Sequence, residues 1–86
     1  MADVEIYTTP WCPYCVAAKD LLEERQIAYR EIDVSVDPQR RAEVRERSGR
    51  HTVPQIFIDG DGIGGYTDLA RLDAEGRLAA LVRDDG

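Results

Sequence analysis

The chain has 86 residues, 33% of them charged and 43% hydrophobic, with a formal net charge of −6 and a pI near 4.6. That length suits one domain around a single core, spanning 1–86. The acidic balance has the wrong sign for a general nucleic-acid binder, no apolar run reaches a membrane span, and Met1-Ala2-Asp3-Val4-Glu5 lacks both the basic region and the apolar core of a secretion signal. The expectation is a cytoplasmic protein with no nucleic-acid or membrane partner.

In chain order, Val4 to Tyr7 is β-prone and reads as a first strand. Thr8-Thr9-Pro10-Trp11 is a loop that delivers the next segment. Trp11 admits two roles, a cover for the core edge or a rim beside a substrate. Trp11-Cys12-Pro13-Tyr14-Cys15 holds both cysteines of the chain. The following stretch, Val16 to Arg25, reads as a helix, with Cys15, Ala18, Leu21 and Leu22 on its inner stripe and Lys19, Asp20, Glu23 and Glu24 on its solvated face.

Cys12 thus falls at the mouth of that helix and Cys15 one turn inside. A helix start offers N–H groups without intrahelical acceptors and the positive end of the macrodipole, and both favour a thiolate. Pro13 suits the first helical position, which needs no amide hydrogen. Cys12 is therefore expected to be the exposed, acidified nucleophile and Cys15 the resolving thiol. A Cys-x-x-Cys after a strand and opening a helix is a thiol–disulfide redox pattern. The competing reading is structural zinc, which needs four ligands. Only His51 and carboxylates remain to complete such a set, so no metal is assigned.

Helix one ends near Gln26 without a glycine, which leaves its boundary open. Tyr29 to Val34 alternates as a second strand, and strand–helix–strand in this length predicts a parallel pair with a right-handed crossover. Asp37-Pro38 pairs an N-cap acceptor with a proline at the first helical position; the helix runs to about Arg47 and stops at Ser48-Gly49. Its apolar content is Ala42 and Val44 alone, while Arg40, Arg41, Arg45, Arg47 and the following Arg50 concentrate positive charge. Two readings stand: a solvated face balanced by Glu43 and Glu46, or an anion-attracting rim.

Thr52 to Ile58 is the densest β segment, with Pro54 expected at its first residue because proline cannot donate to a ladder. Asp59-Gly60-Asp61-Gly62 predicts a turn into a short strand near Ile63. Gly64-Gly65 follows, a loop or a place where another molecule approaches the backbone closely. Thr67 is expected to cap the next helix, with Asp68 in its first turn and Leu69 and Leu72 facing inward. Gly76 breaks that helix, Leu78 to Val82 forms a short closing one, and Arg83 to Gly86 is expected to fray.

Three stretches, CPYC at 12–15, TVPQIFIDG at 52–60 and IGGYTDL at 63–69, together resemble the glutaredoxin family. The length and the opening VEIYT are similar to its short bacterial type. The resemblance covers nearly the whole chain. It implies an α/β thioredoxin-like fold, a four-stranded mixed sheet flanked by helices on both faces. It implies a glutathione-dependent oxidoreductase acting on protein disulfides and glutathione–protein mixed disulfides, with glutathione as co-substrate, no permanently bound cofactor, and a monomeric state.

By the same resemblance Cys12 is the nucleophile and Cys15 the resolving cysteine. Pro54 is a cis-proline facing them, and Thr52 and Val53 precede it in the glutathione site, with the Val53 backbone pairing to the cysteinyl residue. Gly65, Thr67 and Asp68 form the pocket for the γ-glutamyl end, Tyr14 flanks the tripeptide, and Arg41 falls where the family carries Arg or Gln for the glycine carboxylate. One departure stands out: Thr9 occupies the position where the family often has a lysine. Two alternatives remain on the resemblance. One is a redoxin reduced by thioredoxin reductase that serves ribonucleotide reductase; Gly64-Gly65-Tyr66-Thr67-Asp68 counts against it, because such proteins lack the pocket. The other is an iron–sulfur carrier, whose usual members have glycine or serine rather than Pro13 beside the nucleophile.

Overall fold

A computed structural model describes residues 2–50 and 52–82; His51 and the tail 83–86, with its expected fraying, lie outside the described residues. The element order is β1 (Val4–Thr8), α1 (Pro13–Glu24), β2 (Arg30–Asp33), α2 (Pro38–Ser48), β3 (Gln55–Ile58), β4 (Asp61–Gly64), α3 (Tyr66–Ala74) and α4 (Arg77–Val82). The sheet order is β2-β1-β3-β4, with β1 parallel to β2 and antiparallel to β3, and β3 antiparallel to β4. This is the thioredoxin-like architecture that the sequence motifs implied.

Strand alternation divides the core. Val4 and Ile6 of β1 and Ile56 and Ile58 of β3 point to one face, where Ala18 and Leu22 of α1, Leu69 of α3 and Leu78 of α4 pack on them. Tyr7 and Phe57 point to the other, against Val44 of α2 and Val34. All four residues of β3 are buried because both of its faces are covered, which is why that segment reads as a continuous apolar run.

With Val44 as its one buried residue, α2 cannot be held by apolar area alone. A polar graft does the rest. The Arg47 guanidinium lies 4.0 Å from the Phe57 ring centre and donates to the Tyr7 hydroxyl at 2.7 Å and to Glu5 at 3.3 Å, while the Tyr7 hydroxyl donates to Glu43. Burial, and then the bond to Glu43, push the Tyr7 phenol up; that bond holds the Glu43 carboxyl down. Arg40 pairs with Glu43 one turn away at 3.2 Å. Part of the basic stretch is therefore neither a solvated face nor a rim but an anchor.

Several boundaries differ from the sequence reading. The third strand begins at Gln55, one residue after the expected Pro54, with the cis Val53–Pro54 bond just ahead of it. The turn is only Asp59-Gly60, at φ 52° and 87°; two successive positive φ values close a two-residue hairpin, so Asp61 and Gly62 already belong to the ladder. Helix α1 ends at Glu24 with Arg25 as its C-cap, and Gln26 takes φ 59° without being glycine. Helix α2 closes on Gly49 at φ 74°, as expected. Thr67 does not cap α3. Gly65 occupies the N-cap, and the capping acceptor is Asp68, whose carboxylate accepts the Gly65 N–H at 3.0 Å. An acidic side chain three residues into a helix can reach back to the N-cap amide, whereas the second helical residue cannot.

Candidate active site

Helix α1 begins one residue after Cys12, which is its N-cap, with Pro13 at the first position. The Cys15 N–H donates to Cys12 Sγ at 3.1 Å, so sulfur fills the capping role that oxygen usually takes. On its other side the Cys12 thiol donates to the Val53 carbonyl at 3.5 Å. Cys12 is half-buried, whereas Cys15 is only 1% exposed. Burial, then the hydrogen bond with Cys12, push the Cys15 thiol up to about 12, against smaller downward pulls from the Thr9 backbone and the Lys19 charge. The arrangement is one reachable sulfur backed by a protonated, concealed one.

Lys19, expected on the solvated face, is half-buried and pairs with Glu31 of β2 at 2.9 Å. The same Glu31 oxygen accepts the hydroxyl of buried Thr8 at 2.8 Å. The Lys19 bond is the main reason the Glu31 carboxyl sits low.

Beside Cys12 and Val53 runs an open groove of about 210 Å³. Tyr14, Thr52, Val53, Pro54, Gly65, Thr67 and Asp68 line it, so seven of the binding residues expected from the resemblance converge there. Arg41 does not line it; it sits on the exposed face of α2. Arg50, Gln55 and Tyr66 line it without having been foreseen. The Tyr66 ring stands 6.1 Å from that of Tyr14. Its signal was its place as the first residue of α3, next to the N-cap. Trp11 is 73% exposed, so it does not cover the core. Cys12 adjoins this groove through Val53, whereas other grooves of about 270 and 340 Å³ include neither Val53 nor Pro54, so position and not size marks the site. Among the described residues no group of three or more His, Cys, Asp or Glu is placed to hold a metal.

The glycine pair has an internal reason. A Cβ on Gly64, at φ 108°, would stand 2.2 Å from Asp68 Oδ2, and one on Gly65 would stand 3.3 Å from the Pro54 carbonyl. The close approach expected here is thus made by the chain's own Asp68 and Pro54.

Residues 4–63 match the glutaredoxin family model. The chain belongs to the glutaredoxin family. Glutaredoxin 3 of Escherichia coli is 49% identical over 83 residues, which is 96% of this chain and 100% of that one. Among solved structures, the glutaredoxin of Brucella melitensis superimposes with a TM-score of 0.85 at 52% identity, covering 95% of this chain and 89% of that one. A buckwheat glutaredoxin–glutathione complex superimposes with a TM-score of 0.86 at 25% identity, covering 94% and 76%. Like other glutaredoxins, this chain is a thiol–disulfide oxidoreductase with Cys12 and Cys15 as its redox-active pair.

Proposed function

We propose that the protein uses glutathione to reduce protein disulfides and glutathionylated proteins in the cytoplasm, acting as a monomer. The observation that carries this reading is the groove itself. It runs from Val53, whose carbonyl accepts the thiol of the one reachable cysteine, to the first turn of α3 and the Asp68 carboxylate. The Val53 carbonyl can accept a backbone N–H of a cysteinyl residue once the Cys12 proton has left, a one-residue strand addition. The α3 start offers amides to a carboxylate, and Asp68 offers charge to an ammonium. A γ-glutamyl-cysteinyl peptide carries those groups in that order. The buckwheat protein's complex with glutathione supports the reading.

In the one-thiol route the Cys12 thiolate attacks the glutathione sulfur of a mixed disulfide. The new bond joins Cys12 to glutathione, and the target protein leaves as a thiolate that takes up a proton. A second glutathione thiolate attacks that bond, releasing glutathione disulfide and the Cys12 thiolate. In the two-thiol route Cys12 attacks a protein disulfide and forms a mixed disulfide. Cys15, having lost its proton, then attacks Cys12 Sγ, closing the Cys12–Cys15 disulfide and expelling the target thiolate. Two glutathiones restore the dithiol. Glutaredoxins lie at roughly −200 to −230 mV, within reach of cytosolic glutathione.

The test is turnover of a glutathione mixed disulfide with glutathione as sole reductant. Cys12→Ser abolishes it, because no alkoxide forms at neutral pH. Cys15→Ser keeps it but loses reduction of protein disulfides that need the resolving step. Wild-type protein that turns over protein disulfides with another reductant, yet ignores the glutathione mixed disulfide, would exclude this reading.

A further inference from the structure

We infer that Arg50 is the carboxylate-binding arm of the groove, exchanging its resting partner Asp68 for the α-carboxylate of the γ-glutamyl end; this rests on the glutathione reading above. Arg50 follows the left-handed Gly49 that closes α2, and its own N–H donates to Ser48 Oγ at 3.0 Å. Its backbone is therefore pinned while its side chain reaches across to α3. There its guanidinium Nη1 stands 3.7 Å from Asp68 Oδ2, with both side chains partly exposed, at 58% and 36%. The contact is long and wet, and such pairs hold weakly. The same Asp68 oxygen already accepts the Gly65 N–H, so it is not dependent on Arg50.

Arg50 lines this groove and also the neighbouring one of about 230 Å³. Among the described residues it is the only Lys or Arg that lines the groove beside Cys12. An amino-acid end carries an ammonium and a carboxylate on one carbon. A carboxylate and a guanidinium already facing each other at the groove's end complement that zwitterion, one charge each. The incoming ammonium replaces Arg50 on Asp68, and the freed guanidinium takes the carboxylate, so no charge is left unpaired.

The experiment compares wild type, Arg50→Ala and Arg50→Lys on three mixed disulfides at low salt: those of glutathione, of γ-glutamylcysteine and of cysteinylglycine. Arg50→Ala is expected to raise KM roughly three- to tenfold for the two substrates that carry the γ-glutamyl end, with kcat unchanged. It leaves the cysteinylglycine substrate unaffected. Arg50→Lys falls between, and the difference shrinks as salt rises. Unchanged KM values for Arg50→Ala overturn the inference. So does a lowered KM, which would make Arg50 a blocking latch, and so does an equal loss on cysteinylglycine, which would assign it to the other carboxylate. A wild type inactive on the glutathione substrate overturns the functional reading itself. Matching unfolding midpoints among the three proteins exclude a folding defect.

Discussion

Gly64→Ala isolates the contact that couples the groove to the start of α3. The new methyl would stand 2.2 Å from Asp68 Oδ2 and 2.7 Å from its Cγ, so the carboxylate must swing away and release the Gly65 N–H that it holds at 3.0 Å. Loss of that capping bond costs about 1 kcal/mol. Placing a side chain at φ 108° costs a further ~1–2 kcal/mol, and the stiffer unfolded chain returns about 0.5 kcal/mol. The net is about 2 kcal/mol, or a Tm lowered by roughly 8–16 °C for a domain of this size. The assay is thermal and denaturant unfolding of Gly64→Ala, Asp68→Ala and the double variant. Asp68→Ala removes both close atoms and leaves only its Cβ at 3.1 Å. The double variant should therefore be about 1 kcal/mol more stable than the sum of the single losses predicts. A Gly64→Ala protein within about 2 °C of wild type, or strict additivity, would refute the argument that Gly64 exists to let Asp68 cap α3. Because the Asp68 carboxylate is displaced in one single variant and removed in the other, both should also raise KM for a glutathione mixed disulfide.

Burial makes the two sulfurs differ, so iodoacetamide near neutral pH should label Cys12 and spare Cys15, read by peptide mass; labelling of both at similar rates would contradict the concealed thiol pushed up to about 12. The same shift sets an alkaline limit. The Cys15 thiol is raised in the fold relative to the unfolded chain, so its contribution is complete below the unfolded pKa of about 8.5 and is lost as pH climbs toward 12. Tyr7 and Tyr29, both raised first by burial, act in the same direction. Unfolding midpoints should fall progressively above pH ~9, with a shallower fall in Cys15→Ala. Trp11, exposed and adjacent to Cys12, should change emission between reduced and oxidised protein; identical spectra would mean that the indole does not sense the sulfur pair. Arg41→Ala should raise KM for a glutathione mixed disulfide by about tenfold or less with kcat unchanged, and no change at low salt would return that residue to a solvated face.

Local chemistry was legible in the chain. The Cys12–Pro13–Cys15 spacing, the Asp37-Pro38 helix start and the Gly49 stop express preferences that a few neighbouring residues settle among themselves, and each appears where it was read. Strand alternation in Val4–Tyr7 and the apolar run Ile56–Ile58 likewise carry their own burial pattern. What depended on distant partners was not legible. Arg47 looked like surface charge because nothing near it in sequence says that Tyr7 and Phe57 present an aromatic shelf and Glu5 an acceptor. Lys19 looked solvated because Glu31 lies on another strand. Gly65, and not Thr67, begins α3 because Asp68 reaches back across a gap that Gly64 keeps open. Arg50 enters the groove, while Arg41 stays outside its lining, because only the Arg50 side chain meets Asp68 of α3. Charge and hydrogen-bonding groups state in sequence what they need, but only the folded chain decides which partner meets the need, since that is set by distances between segments far apart in sequence.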